Sequence, residues 1–105
     1  MRLAILGRRP YVELRHEGPE PDPPWARMQI EVGWPGGACL DRDGAGGHVL
    51  LAERPVPVDT AACDPRALPA DPAAGRDGVL GYGALAGLRL LLDYPGGRAV
   101  AVPSP

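Results

Sequence analysis

Apolar and polar residues alternate over several short stretches, with the period of two that a half-buried strand shows. The clearest stretch is 26–32, where Met28, Ile30 and Val32 fall on one face and Arg27, Gln29 and Glu31 on the other. Residues 11–15 put Val12 and Leu14 together in the same way, and 2–6, 48–52 and 98–102 read as further strands. Trp34-Pro35-Gly36-Gly37 reads as a turn, so the strand ending at Val32 and the stretch 38–41 are expected to pair as a hairpin. Residues 42–47 predict a second turn, and 56–59 an edge strand at best, because Pro57 cannot donate to a ladder.

The last quarter has its own order. Gly78-Val79-Leu80-Gly81 predicts a short, wholly apolar strand whose glycines permit close backbone approach. Residues 82–88 carry Leu85 and Leu88 at helical spacing and predict one or two helical turns. Gly83 and Gly87 weaken that helix by about 1 kcal/mol each relative to Ala. Residues 89–94 and 98–102 are expected to pair as a hairpin around Pro95-Gly96-Gly97.

Composition supports a β-rich chain. Fifteen glycines and fourteen prolines in 105 residues exclude long helices. Four prolines make 18–25 an irregular Pro-rich loop, and 63–75 reads as loop with at most one helical turn. The length suits a single domain over residues 1–105. A formal net charge of −2 gives no reason to expect nucleic acid or an anionic membrane as partner. All eleven basic residues are Arg, which a GC-rich coding sequence explains without invoking phosphate recognition. No apolar run is long enough to cross a bilayer, and the start of the chain is too short to be a signal-peptide core, so a cytoplasmic location is expected. In a reducing compartment Cys39 and Cys63 are expected to be free thiols packed as small apolar groups. His16 and His48 lie far from both in sequence, so no zinc site, no other metal and no cofactor is expected. Both histidines read as exposed strand-end residues. Trp25 and Trp34, beside prolines, read as covers over the open end of a small barrel, and Tyr82 and Tyr94 as packing residues.

Asp77-Gly78-Val79-Leu80-Gly81, then Leu85 and Leu88, then Leu92-Asp93-Tyr94-Pro95 form a constellation that resembles the C-terminal part of retropepsin-like aspartic proteases. The match covers about residues 77–102. Residues 8–18, opening with Arg8-Arg9-Pro10, are more weakly similar to the strand that opens many such subunits. The resemblance implies a small closed or partly open acid-protease-like β-barrel, mainly β, with one short helix near the C-terminus. It also implies a homodimer and a peptide or unfolded-protein ligand. In that family each half-site supplies one Asp from a hydrophobic-Asp-Thr/Ser-Gly loop. The Thr hydroxyl holds the loop to its partner, and the strand–helix unit is the platform beneath the aspartate. The two carboxylates share one proton; one activates water and the other polarises the peptide carbonyl.

No Asp-Thr-Gly or Asp-Ser-Gly occurs in the chain. Asp59 follows Val58 and precedes Thr60, but Ala61 stands where Gly is needed, and the segment from there to Asp77 is too short for a flap hairpin. Asp43 precedes Gly44 but lacks the Thr or Ser. These two are the catalytic candidates, against the plainer reading of turn aspartates. Asp77 and Asp93 read as turn and strand-end supports. A Ser-His-Asp triad is excluded, since the one serine is Ser104 in the C-terminal tail. Four functions follow. The first is a degenerate or partial retropepsin-like domain, the second an active, divergent homodimeric aspartic endopeptidase, the third a non-catalytic β-rich module that binds peptide by strand addition, and the fourth a structural domain with no ligand.

Overall fold

A computed structural model describes residues 2–6, 9–18, 24–40, 46–59, 75–93 and 95–103. The Pro-rich stretch 19–23, the turn at 41–45 and the loop 60–74 lie outside the described residues, and with them Asp43 and Cys63; so does Tyr94. The described chain is mainly β. Its strands are β1 (Arg2–Leu6), β2 (Arg9–Glu17), β3 (Trp25–Glu31), β4 (Ala38–Leu40), β5 (His48–Leu51), β6 (Arg54–Pro57), β7 (Gly78–Gly81), β8 (Leu88–Asp93) and β9 (Arg98–Pro103). One helical turn, α1 (Tyr82–Leu85), joins β7 to β8.

All nine strands belong to one curled sheet in the order β4-β7-β3-β2-β1-β9-β8, with β5 branching from β2 and β6 from β5. The branch point is β2, the longest strand. Its residues 11–15 pair with β3, and His16 and Glu17 pair with β5, so the sheet turns there and folds back over its own apolar face. Alternation sets that face. Val12 and Leu14 of β2 and Ala26 and Met28 of β3 pack with Leu40, Val49, Leu51 and Leu80 in the core. Edge position suits β6, since Pro55 and Pro57 have no N–H to give.

The expected hairpin between β3 and β4 does not form. Instead β7 lies between them, parallel to β3 (Gln29 opposite Val79) and antiparallel to β4 (Cys39 opposite Val79). All four residues of β7 are buried, which is why it reads as an unbroken apolar run. The β8–β9 hairpin forms as expected, with Leu91 opposite Val100. Asp93 supports its turn by accepting a hydrogen bond from the Gly96 N–H at 3.0 Å.

The polar face read for β3 is only partly polar in its surroundings. Tyr11, Gln29, Val79 and Cys39 form one row across β2, β3, β7 and β4, on the side away from the core. All four are buried. The centre of the sheet is therefore covered on both faces. Gln29 Oε1 accepts a hydrogen bond from Arg76 Nη1 at 3.1 Å. Tyr11 Oη and Gln29 Nε2 have no hydrogen-bond partner among the described residues.

Three side-chain expectations need correction. His16 is not an exposed strand end: it is 3% exposed, and its Nε2 lies 2.8 Å from the Gly46 carbonyl. It faces inward because it continues the Val12 and Leu14 alternation. Cys39 is not a free thiol but is disulfide-bonded; the sequence contains one other cysteine, Cys63. Trp25 is not a loop residue covering a barrel end; it opens β3 and is 56% exposed.

Candidate functional site

If the chain were built as the resemblance implies, β7 and α1 would be the platform under an acid-bearing loop, and the segment resting on them would be that loop. In the structure that segment is 32–37, the connection from β3 to β4. Four bonds seat it. Gly81 N–H donates to the Gly37 carbonyl at 2.8 Å, Tyr82 N–H to the Trp34 carbonyl at 2.8 Å and Gly83 N–H to the Gly36 carbonyl at 3.0 Å. At its entry, Trp34 N–H closes a turn on the Glu31 carbonyl at 3.3 Å. Glycine is required on the platform side. A methyl group at Gly83 would sit 2.7 Å from the Pro35 carbonyl oxygen, and one at Gly81 would overlap the Gly36 carbonyl.

The residues entering this loop are Ile30-Glu31-Val32-Gly33. They run hydrophobic, acid, hydrophobic, glycine, with no Asp, Thr or Ser among them. Glu31 Oε1 accepts a hydrogen bond from the Gly33 N–H at 3.1 Å, so the carboxylate folds over its own turn. Val32 is well exposed. Ile-Glu-Val-Gly ends the cleanest strand of the sequence and contains no Asp-Thr-Gly or Asp-Ser-Gly.

Of the two sequence candidates the structure describes Asp59, which lies elsewhere. Asp59 is exposed and follows Val58, which bridges Ala38 in parallel. Its N–H donates to the Ala38 carbonyl at 2.8 Å. Ala38 pairs with Leu80 of β7, so Asp59 stands on the far side of β4 from the platform. Asp43 lies outside the described residues. Asp77 is brought close to the start of β3: its N–H donates to the Arg27 carbonyl at 2.9 Å, and its Oδ2 accepts from the Arg27 N–H at 2.8 Å. This closed pair of bonds starts the parallel β3–β7 ladder, a structural task. Among the described residues no group of three or more His, Cys, Asp or Glu could hold a metal ion.

A cavity of about 840 Å³ opens at the other end of β3, lined by Glu13, Arg15, Trp25, Arg27, Ala52 and Glu53 among others. Arg27 Nη2 approaches Glu13 Oε1 at 3.4 Å on its wall. Ala52 and Glu53, the two central residues of the β5–β6 turn, both have left-handed backbone (φ 51° and 65°). A two-residue hairpin of this kind favours Asn and Gly there, so Ala and Glu hold the cavity lip in a costly conformation. The cavity and the β3–β4 loop are separated by the length of β3.

Among the described residues no helix is long and apolar enough to cross a membrane. No family model, curated protein or solved structure matches the chain.

Proposed function

We propose that this chain is a retropepsin-like domain that keeps the platform of an aspartic peptidase and lacks its peptidase chemistry. The observation that carries the reading is the content of the loop on β7 and α1: Glu31-Val32-Gly33 followed by Trp34-Pro35-Gly36-Gly37. A proton shared between two carboxylates requires them about 3 Å apart. The extra methylene of Glu31 displaces each carboxylate from where Asp would hold it, and its bond to Gly33 turns it onto its own backbone. Val32 has no hydroxyl with which to tie two such loops together. Asp59, on the far edge of β4, does not substitute.

The reading predicts no cleavage of an unfolded protein substrate by the purified chain from about pH 3 to about pH 7, the range in which acid dyads work. Products that disappear in Glu31→Gln, or with a statine-type inhibitor, would establish the active endopeptidase instead.

A second reading, a peptide-binding module, is favoured by the cavity beside Trp25. Its exposed indole makes it testable by fluorescence titration with extended peptides, where a saturable change lost in Trp25→Ala supports binding and no change counts against it. A cytoplasmic setting accords less well with Cys39, because disulfides persist chiefly in oxidising compartments.

A further inference from the structure

The sheet protects its edges unequally. β6 presents Pro55 and Pro57, and β4 is three residues long with Val58 bridged to its outer side. β8 ends the sheet as Leu88-Arg89-Leu90-Leu91-Leu92-Asp93, with no proline and no inward charge, and its two outward charges are of opposite sign. Among the described residues no strand pairs with its outer edge. Its solvent side is also apolar at the centre: Leu91 is 54% exposed, and its cross-strand neighbour Val100 is 52% exposed.

We propose that β8 pairs antiparallel with β8 of a second copy about a two-fold axis at Leu91, making one continuous sheet across a homodimer. The occupant is identified by self-complementarity. On the outward face β8 reads Arg89, Leu91, Asp93. When Leu91 meets the same residue of the second copy, Arg89 of each chain stands opposite Asp93 of the other. Cross-strand pairs of opposite charge stabilise a sheet, and like charges oppose it. Sliding the pairing by one two-residue step either way sets Arg89 or Asp93 against Leu91 and loses both charge pairs. In the centred register Val100, Leu91 and their symmetry mates form an apolar strip over four strands. Within its own chain Asp93 also stands opposite Arg98, so each end of the seam alternates in sign. An isologous interface needs one patch to complement itself, which this strand does. The proposal is independent of the peptidase reading, since the loop 32–37 takes no part in it.

Light scattering coupled to size exclusion tests it. The wild-type chain is expected at twice the chain mass. Arg89→Asp makes the outward face all acidic, and Asp93→Arg makes it all basic; each alone is expected at the mass of one chain. Their equimolar mixture is expected to return to twice that mass, because the acidic strand complements the basic one. Leu91→Glu, which leaves Asp93 and its bond to Gly96 intact, is expected to be monomeric as well. Wild-type spectra in the far ultraviolet certify that each variant is folded; should Asp93→Arg not fold, wild type, Arg89→Asp and Leu91→Glu decide. A monomeric wild type, a dimeric Arg89→Asp or Leu91→Glu, or a mixture of folded charge variants that stays monomeric would overturn the proposal.

Discussion

Gly81 is the residue on which the site depends most. Its N–H holds the Gly37 carbonyl, and the space beside its α-carbon is filled by the Gly36 carbonyl. Gly81→Ala is expected to lose about 1–3 kcal/mol through forced displacement of the loop, read as a lower denaturant midpoint. Tyr11 carries the opposite expectation. Its hydroxyl is buried without a partner among the described residues, so Tyr11→Phe removes a desolvated group and no bond. Stability is expected to be unchanged or higher, whereas a paired hydroxyl would show a loss of about 1 kcal/mol. Neither residue's role was legible in the sequence. Gly81 showed as a glycine needing close approach, but not what approached it. Tyr11 and Gln29 alternate like a solvent face, because the cover on that face comes from residues far away in the chain, such as Arg76.

Among the elements, those made by local signals were legible and those made by distant ones were not. The β8–β9 hairpin follows from Pro95-Gly96-Gly97 between a Leu-rich run and an alternating one, whereas the helix expected over 82–88 is shorter, Tyr82–Leu85, and Leu88 opens β8. The turn at 34–37 was also legible, yet its hairpin does not form. A turn shows that the chain reverses, but not that a strand from much later enters between the two arms. β7 does so, and Asp77 marks the start of its pairing with two bonds to Arg27. Asp77→Ala is expected to cost about 1–3 kcal/mol, since the Arg27 N–H loses its acceptor in a partly buried place. Its effect on urea unfolding should exceed that of Asp93→Ala, whose bond to Gly96 is exposed. The same insertion puts the β3–β4 connection on β7 and α1, a placement that neither arm of the turn signals.

At the scale of the whole molecule, a small chain holds a two-sided sheet with few aromatic residues and no Phe. The disulfide at Cys39 adds a covalent constraint at the end of the buried row Tyr11-Gln29-Val79-Cys39. Reduction is expected to lower stability by about 2–4 kcal/mol, chiefly by freeing the unfolded chain, and thermal unfolding with and without reductant measures it. β7 enters between β3 and β4 and so seats the loop 32–37 on β7 and α1. Backbone proton contacts measured by nuclear magnetic resonance test this most directly. Contacts of Val79 with both Gln29 and Cys39 are expected, in parallel and antiparallel patterns respectively. Direct ladder contacts between residues 28–31 and residues 38–40, with Val79 absent from between them, would contradict this placement of β7.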